Sequence, residues 1–166
     1  SLGLSRFVED YQTLTEIPRP RPGQVRVDDL VRRVTDLLKN SYLADPIRLK
    51  VDIQPPDLSL HADRDMLEQV LINVFKNAAR ALEDHDDPLI EVRAALAGDR
   101  PLLEIQDNGS GIPFNVMDYI FMPFFTTKKD GSGIGLTLAR QIMKAHGGEI
   151  RLRSREGDGT LIRLIF

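Results

Sequence analysis

The sequence has no cysteine, so it can build neither a disulfide framework nor a thiolate metal site. That fits a reducing compartment. It has no apolar run approaching the roughly 18 residues that a membrane-spanning helix needs. Its opening, Ser1-Leu2-Gly3-Leu4-Ser5, carries no basic charge and starts no long apolar stretch, so it does not read as a signal peptide. Charge of one sign is not in excess either. The net charge is −3, which gives no reason to expect a surface for nucleic acid or another polyanion. Repeats and low-complexity tracts are absent as well. What is present is an ordinary globular balance, 42% hydrophobic and 28% charged over 166 residues, in a length that suits one domain with one core. Position 1 is not Met, and the first segment reads as the tail of a longer helix, so a piece of a larger protein is expected.

Along the chain, Leu4, Phe7, Val8, Tyr11 and Leu14 have helical spacing with one apolar stripe. A helix this short needs a partner. Three alternating prolines in Ile17-Pro18-Arg19-Pro20-Arg21-Pro22-Gly23 predict a stiff extended linker. Asp28 or Asp29 is expected to cap a helix reaching about Leu43, with Leu30, Val31, Val34, Leu37 and Leu38 inward. Ile47 to Ile53 alternates as a strand ended by Pro55-Pro56, and Leu58 to His61 offers a short one. Asp63 to Leu82 predicts a long helix. Leu89 to Ala95 and Leu102 to Asp107 predict strands around Gly98-Asp99-Arg100-Pro101, and Ile134 to His146 a helix stopped by Gly147-Gly148. Glu149 to Arg155 and Thr160 to Phe166 predict a hairpin around Glu156-Gly157-Asp158-Gly159. The expected fold class is α+β: a two-layer α/β sandwich with about five mostly antiparallel strands covered by three helices.

Four stretches carry chemistry. On the helix from Asp63 to Leu82 the apolar side is wide, and one polar arc remains: Gln69, Asn73, Lys76, Asn77 and Arg80. Such an arc is commonly a solvated face. Two poor helix formers one turn apart, Asn73 and Asn77, point elsewhere, because an amide oxygen can ligate a hard cation such as Mg²⁺. On the strand ending at Asp107, Leu103, Ile105 and Asp107 share a face, so parity aims the carboxylate inward. A buried carboxylate needs a donor, and an adenine amino group is one, whereas guanine presents a carbonyl there. The alternative is an Asx turn, with Asp107 capping its own backbone. In Lys128-Lys129-Asp130-Gly131-Ser132-Gly133-Ile134-Gly135-Leu136 glycines lead into a helix whose N-terminal N–H groups suit phosphate; the alternative is a flexible loop. Finally, Ile120-Phe121-Met122-Pro123-Phe124-Phe125-Thr126-Thr127-Lys128, lying between the two glycine-rich turns, reads either as core under a loop or as the hinge of a lid.

Together and in order, these stretches resemble the histidine-kinase branch of the ATPase superfamily shared with DNA gyrase B, the Hsp90 chaperones and MutL. Glu68 to Ala78 is similar to the N box, Asp107 to Ile112 to the first glycine box, Phe121 to Phe125 to the F box, and Gly131 to Leu136 to the second glycine box. Gly157-Asp158-Gly159-Thr160 resembles the closing Gly-x-Gly-Thr element. The Phe-Phe-Thr-Thr-Lys run and short lid look most like nitrogen-regulation-type sensor kinases. By resemblance the chain divides into the end of a dimerisation helix (1–16), a Pro-rich linker (17–26) and a Bergerat-type ATP-binding catalytic domain (27–166).

The same resemblance implies a kinase of two-component signal transduction that takes the γ-phosphoryl group of Mg-ATP to a protein histidine. Asn77 would hold Mg²⁺, Asn73 would support the phosphates, and Lys76 or Arg80 would add positive charge. Asp107 would accept from adenine, with Thr160 helping through water, while Gly109, Gly111 and Ile112 shape the base pocket. Phe124, Thr127, Lys128, Gly131, Ser132, Gly133, Ile134, Gly135 and Leu136 would line the lid and phosphate end. Asn73 and Lys128 are the expected catalytic residues. Hydrolytic members of the superfamily resemble one another in carrying Glu where this chain has Asn73, and a neutral amide cannot act as a general base. The implied partners are ATP, the protein's own dimerisation hairpin and a response regulator's receiver domain. The implied setting is the cytoplasm, in a homodimer anchored at the bacterial inner membrane, with the present chain a monomer. No histidine here (His61, His85, His146) fits the family's acceptor pattern, so the chain is expected to bind Mg-ATP without phosphorylating itself on histidine. An anti-sigma-type serine kinase and a non-catalytic ATP-binding module are the alternatives.

Overall fold

A computed structural model describes residues 2–166; Ser1, the first residue of the expected helix tail, lies outside the described residues. Helix α1 (Leu2–Thr15) leads through the proline-rich stretch to strand β1 (Gly23–Arg26), which runs directly into α2 (Val27–Leu38). Then come β2 (Arg48–Ile53), β3 (Ser59–Ala62), α3 (Arg64–Ala81), β4 (Leu89–Ala97) and β5 (Arg100–Asp107). A short 3₁₀ helix (Phe114–Tyr119) sits in the long glycine-containing connection to α4 (Gly135–Ala145), and β6 (Glu149–Arg155) and β7 (Gly159–Ile165) close the chain.

The main sheet has the order β2-β4-β5-β7-β6. Only β2 and β4 are parallel; the other pairs are antiparallel. The expected five-stranded α+β sheet under helices is therefore the architecture. Alternation puts Ile90, Val92 and Ala94 of β4, Leu103 and Ile105 of β5, and Ile162 and Leu164 of β7 on the buried face. They form one core with Leu67, Val70, Leu71, Val74 and Phe75 of α3 and with Leu138, Ala139, Ile142 and Met143 of α4. Arg93, Glu104 and Arg163 lie on the opposite face, where Arg163 donates to Glu104 across β5 and β7.

Local signals explain the helix ends. Asp63 caps α3, its carboxylate accepting from Met66 N at 3.2 Å. Gly147, at φ +70°, ends α4 with Gly148 N donating to Met143 O at 2.9 Å. One further knot joins these two helices. His146 Nε2 accepts from Asp63 N at 3.0 Å, while the other ring nitrogen lies 2.8 Å from Ile142 O. The Asp63 carboxylate also takes the N–H of Arg21 in the proline-rich stretch, so that stretch is tied to the start of α3.

Several expectations are corrected. Residues 23–26, assigned to the linker, form β1 and pair with β3 in a separate two-stranded sheet. Neither Asp28 nor Asp29 caps α2; the cap position is Arg26, which makes no side-chain cap bond, because the strand feeds straight into the helix. Both acids sit in its first turn, where the helix dipole favours them. α2 stops at Leu38 rather than Leu43, and Leu37 is 66% exposed because it falls off the Val27-Leu30-Val34-Leu38 seam.

Candidate functional site

The polar arc of α3, the end of β5, the start of β7 and the N-terminus of α4 border one cavity of about 270 Å³. The arc residues Asn73, Lys76, Asn77 and Arg80 line it and are half-buried, so this part of the arc is not a freely solvated face. Gln69 stays exposed and lies outside it.

Asp107 ends the inward column of β5 and is 5% exposed, directly across the ladder from Thr160 of β7, which also lines the cavity. Burial pushes its carboxyl up to about 6, while N–H donation from Gly109 and Thr160 and the positive charge of Lys128 pull the other way. The Gly109 N–H reaches Asp107 Oδ1 at 2.9 Å. The Asx turn and the inward-facing carboxylate are thus one arrangement, not alternatives. Gly111 makes the turn possible: at φ +69° its backbone lies against the carbonyl of Arg155, leaving no room for a Cβ.

At the other end, Asn73 Nδ2 donates to Gly135 O at 3.1 Å, fastening α3 to the first residue of α4. Among the described residues, the Asn77 side-chain amide has no hydrogen-bond partner, although it faces the cavity. Lys128 as a residue is exposed, but its ammonium turns inward to 3.5 Å from the carbonyl of Asn77. Burial of that ammonium, and then Arg80 nearby, hold it below the ordinary lysine range. Lys76 and Arg80 are braced over the ring of Tyr42, at 5.0 and 5.8 Å from its centre. Thr127, Gly131, Ser132, Gly133, Gly135 and Leu136 complete this end, and Ile112 borders the Asp107 end.

Three expected residues fall outside the cavity wall. Gly109 packs against the backbone of Ala81 at the end of α3, which shapes the turn from behind. Phe124, at φ +65°, sends its ring to Phe7 of α1, 4.9 Å between centres, and donates its N–H to Gly133 O. Ile134 is buried in the core instead. Sequence reasoning missed the two side chains that hold the Phe121 loop down. Thr137 of α4 donates to Phe121 O at 2.9 Å, and the Arg140 guanidinium lies 4.9 Å over the Phe121 ring. It also missed Ser154, whose hydroxyl touches both Thr160 and the first glycine box. A buried threonine one turn into a helix and a serine in a strand of arginines carry no local signal of such roles.

Among the described residues no helix is long and apolar enough to cross a membrane. The family described as histidine kinase-, DNA gyrase B-, and HSP90-like ATPase matches residues 62–166. The sensor histidine kinase ZraS of Escherichia coli is 32% identical over 97% of this chain and 34% of its own. The nitrogen regulation protein NtrY of Azorhizobium caulinodans is 30% identical over 97% of this chain and 21% of its own. The chain therefore spans about a third or less of these curated relatives. The solved catalytic domain of histidine kinase ThkA aligns with a TM-score of 0.78 at 29% identity, covering 88% of this chain and 95% of that one. ThkA in complex with the response regulator protein TrrA aligns with a TM-score of 0.79 at 25% identity, over 98% of this chain and 46% of that one. With a single cavity bordered by the polar arc of α3, an inward acid and a glycine-led helix start, the chain belongs to the histidine kinase-, DNA gyrase B- and HSP90-like ATPase family.

Proposed function

We propose that the cavity holds Mg-ATP with adenine against Asp107 and the triphosphate between α3 and the Phe121–Gly133 loop. The longer protein then passes the γ-phosphoryl group to a histidine of its own dimerisation hairpin. The observation that carries this reading is the pairing of the two ends. A nearly inaccessible carboxylate beside Thr160 and an unpartnered Asn77 amide beside a lysine face the same space. The first suits a base that donates, the second a polyanion and its counter-ion.

The donor set fits Mg²⁺ in a particular way. No three His, Cys, Asp or Glu side chains converge among the described residues, so a cage made only of protein is not available. Mg²⁺ prefers one or two protein oxygens, phosphate oxygens and water, and the Asn77 side-chain oxygen, unpartnered among the described residues, is available for it. Bound there, the ion would neutralise charge on the phosphate oxygens. Lys128 would do the same from the loop, and the N–H groups opening α4 would face the phosphates.

Asn73 decides between transfer and hydrolysis. Its amide is neutral and already engaged with Gly135 O, so no side chain at that position can take a proton from water. Transfer then rests on positioning and charge neutralisation. The exposed apolar side chains Leu4, Phe7 and Tyr11 on α1 suit the end of a dimerisation helix. By likeness to ThkA, a response regulator's receiver domain would take the phosphoryl group next.

The test mixes this chain with Mg-ATP and a separately made dimerisation hairpin from its full-length protein. Acid-labile phosphate on the hairpin is expected. Acid-stable phosphoserine, or no transfer under conditions where the chain binds ATP, sinks the kinase reading. Asn77→Ala should weaken Mg-ATP binding about tenfold, equivalent to about 1.4 kcal/mol, and leave metal-free ATP binding nearly unchanged.

A further inference from the structure

Thr160 is 9% exposed and borders the cavity opposite Asp107. Whether its hydroxyl gives or takes a hydrogen bond there decides which base edge it tolerates. The answer lies behind it, on β6. Ser154 Oγ lies 2.8 Å from Thr160 Oγ1, 2.9 Å from Gly159 O, and 2.8 Å from the N–H of Ile112 in the first glycine box.

A hydroxyl has one hydrogen and two lone pairs. Ile112 N–H can only donate, so it occupies one lone pair of Ser154. Gly159 O can only accept, so it takes the Ser154 hydrogen. That leaves Ser154 one lone pair and no hydrogen for Thr160. Thr160 must therefore donate, and Ser154 is the sole protein acceptor its hydroxyl has among the described residues. This assignment alone satisfies every partner. It fills Ser154 completely and leaves Thr160 with lone pairs only.

We infer that Ser154 is a positioning residue for base selection: it turns the Thr160 hydroxyl into an acceptor-only group, so Thr160 and Asp107 together admit a base edge that donates and reject one that accepts. This rests on the adenine reading above. Asp107 alone could be evaded, since its carboxyl accepts a proton as the pH falls toward 6 and can then donate. Thr160 cannot switch while Ser154 holds its hydrogen. In direct contact, an exocyclic amino group meets acceptors, and a carbonyl in its place meets no hydrogen on the Thr160 hydroxyl.

Calorimetric affinities for ATP and for inosine triphosphate, which carries a carbonyl oxygen where ATP has its amino group, test this at pH 7.5. Ser154→Ala frees the Thr160 hydrogen to turn into the cavity. The preference for ATP over inosine triphosphate should fall roughly fivefold, the worth of one hydrogen bond, whatever happens to the two affinities together. Ser154→Thr keeps the hydroxyl and should keep the ratio. In a Thr160→Val background, Ser154→Ala should leave the ratio alone. If Ser154→Ala weakens both nucleotides by the same factor, Ser154 merely supports the fold and the inference is overturned. Should Ser154→Ala not fold, Ser154→Cys carries the same comparison, because a thiol is a poor acceptor and the ratio should still drop. A parent protein that binds ATP no better than inosine triphosphate removes the adenine reading itself, and this inference with it.

Discussion

The two ends of the cavity are built differently. The base end is an extension of the sheet: Asp107 and Thr160 face each other across a β ladder, and Ser154 ties both neighbouring turns. Its glycines have no freedom to change. Gly111 lies against the backbone of Arg155, and Gly159, at φ +92°, against that of Asp107. The phosphate end is a loop on a helix start. It is held by the Phe121–Thr137, Phe124–Gly133 and Asn73–Gly135 bonds, by Arg140 over the Phe121 ring and by one long contact from Lys128. A Cβ on Gly135 would sit 3.6 Å from Asn73, ordinary contact. The Asp107 end is thus preformed by the sheet, while the proposed phosphate end is confined at Gly133, beside the Phe124 backbone, but hangs otherwise on side-chain ties that can adjust when a triphosphate arrives.

That contrast is sharpest at Asp107. Asp107→Asn should weaken ATP binding about 100-fold, or about 3 kcal/mol, because a charge-assisted acceptor is lost and an amide donor is left facing N–H groups. Unchanged affinity in calorimetry would break the comparison at once. The same residue sets a pH dependence. Its folded-state value of about 6 lies above the ordinary 3.8, so between these values the native state keeps a proton that the unfolded chain has released. Stability should fall as pH rises from about 4 to 6, by up to about 3 kcal/mol. Denaturant melts of the parent minus those of Asp107→Asn isolate this, and a flat difference refutes the burial. ATP should partly reverse the loss, since a donor favours the carboxylate.

Smaller effects separate the two ends. Gly111→Ala should destabilise the fold by about 2 kcal/mol through left-handed strain and overlap with the Arg155 carbonyl. Thr137→Val should cost about 1 kcal/mol and speed proteolysis between Met122 and Gly131, with the base end intact. Gly135→Ala should leave the melt within about 0.5 kcal/mol of the parent. A loss there as large as at Gly111 would mean the phosphate end is as tightly built as the base end.

Much of this was legible because it is periodic and local. The α3 stripe buries seven of its residues as spaced, and its polar arc, Gln69 apart, lines the cavity. Parity along β5 was enough to aim Asp107 inward. What failed depended on neighbours. Leu37 has core composition but lies where no second layer covers it. Residues 23–26 became a strand only because β3 offers an edge. Phe124 left the cavity because its positive φ throws the ring toward α1.

By itself, then, the sequence determined most of the elements, the inward acid and the ordered glycine and asparagine boxes, since these follow from repeat spacing and residue chemistry within a few turns of chain. Only the tertiary structure decided which boxes share one cavity, that His146 locks α4 to the start of α3, and that Ser154 saturates its hydroxyl on Thr160, Gly159 and Ile112. Those outcomes depend on hydrogen-bond directions between residues distant in sequence, and no local pattern encodes the direction of a hydroxyl proton.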